Sequence, residues 1–581
     1  MLDFIKQQEL EIKKIINECG YELDKVTLVV SSRKDLGQYQ YNGVMSLAKI
    51  YHKNPIEIAN EIVSKMKDNS IYKNVNVAGP GFINITFSDE KLTEYIEQLR
   101  NNHYEIDNPH KKIVIDFGGP NVAKTLHVGH LRSANIGEAL KRLAKYMNYD
   151  VISDVHLGDW GRPLGLVILE LKKLHPEWVY FDESYEGKYP DYCPITNEYL
   201  EKLYPIASIK AKEDEEYLNE ARIITTKLQK KEKGYYDLWK QIVKISTDEI
   251  KKLYKILNIS FDLWEGESDA DEYVPEVIEY LKEKGLVEES NGALIMDVSM
   301  PNDNSPMPPL LLIKSNGSVS YETTDLATIW ERVKKFNPEE IWYVVDSRQS
   351  LHFEQVFRAA YKAEIVKENV NLEFIGFGTM NGKDGKPFKT RDGGVMTLSS
   401  LINLVKEETL KNLNENIKDE EREEISTIIG AGTLKYADLL PYRGTDYIFD
   451  IEKFNDLNGK TGVYLLYSTL RMESLLKKAK DNNLNNFNIT KINNEYDRNV
   501  YLKLLEEPSV LLKSLNSKSL NDIAEYLYDI TNTYNTFYSS TRVLTEEDDR
   551  LKSSYLGLTE LVYKTNKSLL DILGIKLPNK I

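Results

Sequence analysis

The chain has 581 residues, with 75 Lys+Arg against 91 Asp+Glu, a net charge of −16, 8 His and 2 Cys. That length implies about three domains, and 29% charged with 41% hydrophobic residues is a globular composition; the lone Cys19 and Cys193 exclude a disulfide framework and a zinc ribbon. No apolar stretch reaches the roughly 18 residues of a membrane helix and the first residues lack a signal-peptide core, so a cytoplasmic protein is expected, while the acidic balance by itself argues against a polyanionic partner.

Residues 1–108 read as a small α+β module. Leu2, Ile5, Leu10, Ile12, Ile15 and Ile16 lie near one helical face, and Gly79-Pro80-Gly81 separates two strand-like runs, Val75–Ala78 and Phe82–Phe87. From Ile113 the texture changes. Ile113-Val114-Ile115, a Gly/Pro-rich loop, a helical stripe of Ile136, Leu140, Leu143 and Met147, and Val151-Ile152 make a βαβ unit, which implies a parallel sheet. Leu310–Ile313, Ile341–Val345 and Leu372–Phe377 are further strand candidates. The predicted fold is therefore multidomain α/β: a Rossmann-like parallel-sheet domain over 109–400 carrying a helical insertion at about 164–259, then a helical stem over 401–457. Residues 458–581 close the chain as an all-α bundle, with Ile523, Leu527, Ile530, Tyr534 and Phe537 spaced as a core stripe and the Asn-rich 481–494 as a flexible connector.

Two motifs carry chemistry. His127-Val128-Gly129-His130 follows the first strand of the βαβ unit and opens its helix, where unpaired N–H groups favour phosphate and doubly wound sheets bind nucleotides. Two imidazoles three residues apart share a face and can donate to phosphate oxygens, and Gly129 lets a flat ring approach the backbone. Taken alone, the pair fits a capped, buried helix start better than a phosphate site. The second motif, Lys383-Asp384-Gly385-Lys386-Pro387-Phe388-Lys389-Thr390-Arg391, gathers positive charge of the kind a phosphoryl-transfer transition state needs, although such a run is also an ordinary solvated turn.

In this order the motifs resemble the "HIGH" and "KMSKS" signatures of class I aminoacyl-tRNA synthetases, and the finer resemblance is to bacterial-type arginyl-tRNA synthetases. It is carried by Asp116–Lys124, Gly158-Asp159-Trp160-Gly161, Tyr321–Asp325 and Lys386–Arg391. Val77–Ile85 looks like the end of that family's N-terminal domain, and Gly462–Tyr467 like the start of its anticodon-binding domain. The resemblance implies arginine–tRNA ligase activity: arginine and ATP, with Mg2+, give arginyl-adenylate, and the arginyl group passes to the 3′-terminal adenosine of tRNA(Arg). Arginine activation is expected to need tRNA.

The same resemblance implies the site residues. His127, His130, Lys389 and Lys124 would act on the phosphates, with Gly129, Met380 and Lys386 also at ATP. Asp116, Asn121, Tyr321, Asp325 and Gln349 would hold arginine, because a guanidinium demands acceptors matched to its rigid fork. Phe82 and Asn84 resemble positions at the tRNA elbow, and no zinc or other protein-bound metal is expected. The bundle is the least acidic section, with 17 Lys+Arg against 15 Asp+Glu over 458–581. Its off-stripe Tyr464, Arg471, Asn535, Tyr538 and Arg542 are candidates for stacking on and reading unpaired bases. A monomer without membrane contact is expected. The chain departs from the family pattern at Asp116, where Glu is common, at Gly118-Gly119, at Arg162-Pro163 and at Thr324. Two competing readings are a small nucleotidyltransferase, which would lack the helical C-terminal section and an arginine pocket, and a tRNA-binding protein that has lost catalysis, which would lack the intact motifs.

Overall fold

Ile113, Val114 and Ile115 are wholly buried because they form the middle of a four-stranded parallel sheet. In the computed structural model this sheet runs, in spatial order, Asn371–Phe377, Glu340–Asp346, Lys112–Phe117 and Asp150–Asp154. The described residues are 3–33, 35–101, 110–124, 126–192, 194–386, 396–413, 417–451, 456 and 459–580. They fall into two compact units: one from 1–107, 465–517 and 522–569, the other from 108–464, 518–521 and 570–581.

The strand order reverses beside Lys112–Phe117, so the crevice beyond its C-terminal end, next to Asp346, is the switch point where such sheets bind ligands. The expected helix follows as Val128–Tyr146, with Ile136, Leu140, Leu143 and Met147 all buried against the sheet. Ser133 on this helix accepts the Gly118 N–H (2.8 Å) and donates to the Val344 carbonyl (2.7 Å), tying the helix to both central strands. Leu310–Ile313 is a strand, but it belongs to a separate antiparallel sheet with Glu288–Ser290 and Ala293–Met296. Its burial alternates along the strand, and a short apolar run does not reveal in sequence which sheet it will join.

The insertion is helical: Arg162–Leu174, Asn197–Glu213, Glu215–Gln229 and Lys233–Ile256. Deep in this unit, Arg132 and Asp438 form an ion pair at 3.1 Å with both side chains almost fully excluded from solvent. The pair joins the helix Val128–Tyr146 to the stem helix Asp419–Leu439. Arg132 also donates to the Gly378 and Thr445 carbonyls, and Asp438 accepts from Asn135 and the Tyr447 hydroxyl. These contacts fix the parallel pair Met380–Asn381 and Tyr447–Ile448, from which the basic loop departs.

In the other unit, helix Phe4–Glu18 covers an antiparallel sheet of Leu28–Val30, Tyr39–Tyr41, Phe82–Phe87 and Tyr72–Ala78. Leu10, expected on the buried face of that helix, is 62% exposed. The expected bundle stripe from Ile523 to Phe537 is buried. Residues 1–107 share this unit with 465–517 and 522–569: Arg498 pairs with Asp89 and donates to the Phe87 carbonyl, and Arg100 pairs with Glu560 at 2.9 Å. The Asn-rich connector, expected to be flexible, is instead pinned: Phe487 and Ile489 are buried, and Asn488 and Thr490 donate backbone N–H groups to Ser553 and Ser554.

Breaking a buried ion pair leaves an uncompensated charge. Arg132→Met should therefore lower unfolding stability by about 3–5 kcal/mol in a denaturant titration, whereas a surface-pair change such as Lys188→Met should be near neutral.

Candidate active site

His127 is the N-cap of helix Val128–Tyr146, and the two histidines of the first motif cap each other. The Gly129 N–H donates to Nδ1 of His127 and the His127 N–H donates to Nδ1 of His130, each at 3.1 Å. Burial, together with the charges of Lys124 and Arg348, lowers the His127 pKa, and burial with His127 and Lys124 pushes His130 down to about 3. Both rings are thus neutral at neutral pH with Nδ1 occupied as an acceptor, which puts the ring proton on Nε2. The helix start presents two Nε2–H donors. Gly129 is needed for a local reason: a Cβ there would stand 2.9 Å from the His127 ring.

The second motif begins where the first is anchored. Val128 N–H donates to the Met396 carbonyl, Leu398 N–H to the Leu126 carbonyl, and His127 bridges Thr397. The residues just after the basic loop are therefore fastened to the histidine motif. Lys389 lies outside the described residues. Lys386 is exposed at the loop's start, its N–H donating to Asp384, and Met380 is buried in its short strand. Lys124 stands over the ring of Tyr204 in the insertion, 4.7 Å from its centroid, and is near enough to depress both histidines.

The loop between strand and helix is packed so closely that side chains are excluded. A Cβ on Gly119 would lie 2.4 Å from the His156 carbonyl, and one on Gly158 would lie 2.5 Å from Asn121 Oδ1. Asn121 itself is exposed and bridges Gly158. Asp116 differs from expectation. It is buried, and one carboxylate oxygen accepts from Arg332 at 2.7 Å; the same guanidinium nitrogen reaches Asp154 at 2.7 Å. His156 lies beside Asp154 at 3.6 Å; against the cost of burial, Asp154 and Asp116 raise it to about 9. Asp116, Asp154 and His156 bring their donor atoms within 4.8 Å, a spacing suited to a cation, and the cation between the carboxylates is the protein's own guanidinium. Asp116 is thus engaged internally, which sequence adjacency could not reveal for a partner 216 residues away.

Tyr321 and Asp325 share the first turns of helix Tyr321–Phe336, capped by Ser320. Asp325 is bonded to His352 Nε2 at 2.5 Å, and the Tyr321 ring lies 5.1 Å from the His352 ring. Gln349 is exposed on the short 3-10 turn Ser347–Gln349 after the central strand. Two residues missed in sequence belong here. His352 is the partner of Asp325. Glu267 is raised to about 7 by burial, with the charges of Asp325 and Asp159 adding to the shift and His156 and Lys124 opposing it. Two carboxylates close enough to repel each other in a half-buried crevice create a demand for a cation. Glu267 is one acid among 91, and only its Gly266 N-terminal turn distinguishes it in sequence.

Of the candidate nucleic-acid residues, three assemble. Arg471 donates to Asn535 Oδ1 at 2.5 Å and lies over the Tyr538 ring at 4.8 Å, while Asn535 donates to Ser468. Arg542 is exposed, and Phe82 and Tyr464 are half-buried. Asn84 must be withdrawn as a surface contact. It is wholly buried in the central strand between its register partners Gln40 and Asn76, accepting from the first and donating to the second.

Three family models match the chain: tRNA synthetases class I (R), catalytic domain, over residues 59–451; the arginyl tRNA synthetase N terminal domain over 6–87; and the DALR anticodon binding domain over 465–581. The arginine–tRNA ligase of Alkaliphilus oremlandii is 44% identical over 99% of both chains, and that of Agathobacter rectalis is 41% identical over 98% of both. Among solved structures, the arginyl-tRNA synthetase of Plasmodium falciparum superimposes over 100% of both chains with a TM-score of 0.81 at 26% identity. That of Thermus thermophilus, at 20% identity and a TM-score of 0.78, has the same fold.

The carboxylate pair makes a direct expectation. In carbon-13 NMR of labelled glutamate, Glu267 should titrate near 7 in the ligand-free protein. Asp325→Asn removes a like charge, so it should move that titration to lower pH.

Proposed function

The chain belongs to the arginyl-tRNA synthetases of class I, and from that membership we propose how its residues join arginine to tRNA. Arginine, ATP and tRNA are the substrates, with ATP entering as its Mg2+ complex. The arginine carboxylate attacks the α-phosphorus and the bond to pyrophosphate breaks. A hydroxyl of the tRNA's terminal adenosine then attacks the arginyl carbonyl and AMP leaves. Neither step needs an enzyme nucleophile. The work is positioning and stabilisation of charge on the phosphates.

His127 and His130 donate from Nε2 to phosphate oxygens, and because both are neutral, the positive charge comes from Lys124, Lys386 and Lys389. Asp325 and Glu267 receive the arginine guanidinium, Tyr321 and Gln349 line its pocket, and Asn121 meets the α-amino end. A lysine side chain would leave buried acceptors unpaired, which gives selectivity without an editing domain. Arg471, Asn535, Tyr538 and Arg542 take the anticodon bases by stacking and edge contacts, with Tyr464 at the start of the same helical section and Phe82 at the elbow. The enzyme is taken to act as a monomer in the cytoplasm.

The observation that carries the reading is the anchoring of residues 396–398 on the histidine motif, since it joins the two phosphate-directed elements at the switch point of the sheet. Arginine charging of a tRNA panel tests it, and charging confined to tRNA(Arg) is expected. Asp325→Ala should raise KM for arginine by about 10²-fold or more while KM for ATP changes little, because it strips a charged partner from the cation. His130→Ala should instead lower kcat by about 10²–10³.

A further inference from the structure

The segment Gly158-Asp159-Trp160-Gly161 takes no part in the chemistry above, yet the structure gives Asp159 a definite task. Residues 154–158 run parallel to 263–267, bridging Asp154 to Leu263 and Leu157 to Gly266. At the end of this pairing the Glu267 N–H donates to the Leu157 carbonyl at 3.0 Å. The next residue is gripped twice: Asp159 Oδ1 accepts the Ser268 N–H at 2.9 Å and Oδ2 accepts the Ser268 hydroxyl at 2.6 Å. Asp159 is almost wholly buried, and its own carbonyl accepts the indole N–H of Trp239 at 2.7 Å. Gly266 makes the approach possible, since a Cβ there would stand 2.6 Å from Asp159 Oδ1.

Glu267 is therefore held on both sides by one strand end. The helix it opens has four residues, Glu267–Ala270, too few to hold its own register. We propose that Asp159 and Ser268 are positioning residues that fix the Glu267 carboxylate in the guanidinium pocket and thereby set the affinity for arginine. The inference rests on the arginine pocket proposed above. Charge-assisted bonds from a buried carboxylate are short and strong, and a ligand group displaced by about 1 Å loses its paired geometry. The effect should fall on arginine more than on ATP, because the bonds of Asp159 run to Ser268 and Trp239 and not to the histidine motif.

The test is steady-state aminoacylation by the full chain with Ser268→Ala, Ser268→Thr and Glu267→Gln. Ser268→Ala should raise KM for arginine about tenfold, with KM for ATP unchanged, and Ser268→Thr, which restores the hydroxyl, should recover most of the loss. An unchanged arginine KM in Ser268→Ala, or an equal rise for both substrates, would overturn the inference. Glu267→Gln separates the two levels. If it raises arginine KM while Ser268→Ala does not, the positioning role alone falls; if it too leaves arginine KM unchanged, the pocket assignment of Glu267 falls with it.

Discussion

The reciprocal capping of His127 and His130 is the constraint on which the site depends. A histidine at a helix start could serve as cation, acceptor or donor, and in solution it changes role near neutral pH. Here each Nδ1 is consumed by a peptide N–H of the first turn, and burial with nearby Lys124 disfavours protonation. The same two bonds that satisfy orphan N–H groups of the helix therefore also set the tautomer of both rings. Gly129 permits the fold-back, and the bond from Val128 to Met396 fastens the end of the basic loop to the result. One local arrangement thus serves helix capping, donor orientation and the meeting of two distant motifs.

A second constraint is the division of carboxylates. At the ends of adjacent strands, Asp116 and Asp154 are bridged by Arg332 and flanked by a His156 raised to about 9, so that cluster carries its own cations. Among the described residues, Asp325 is bonded to a histidine, and Glu267, raised to about 7, has no cation bonded to it. A chain that binds a guanidinium must keep internal arginines from filling the substrate's place. Arg332 is committed to Asp116 and Asp154, each 2.7 Å from the same guanidinium nitrogen.

The features legible in the sequence were those in which local pattern and tertiary role agree. The stripe Ile136–Met147, the Gly-Pro-Gly hairpin and the histidine motif each declare themselves within about twenty residues, and each lies where periodicity or capping chemistry puts it. What stayed hidden depends on partners far along the chain. Asp116 and Arg332 are 216 positions apart, Asp325 and His352 lie on different helices, and Asn84 alternates as a surface residue would yet sits between Gln40 and Asn76 in mid-sheet. The net charge of −16 misled in another way. It sums over a chain in which the bundle is nearly neutral, and it carries no information about the local groups that meet an anion.

Nitrogen-15 NMR of the histidine rings tests the capping constraint most directly. At pH 7 both His127 and His130 should give neutral-ring signals with the proton on Nε2, and His130 should not protonate as the pH falls to 5. A ring proton on Nδ1 of either residue, or titration of His130 near 6.5, would contradict the account.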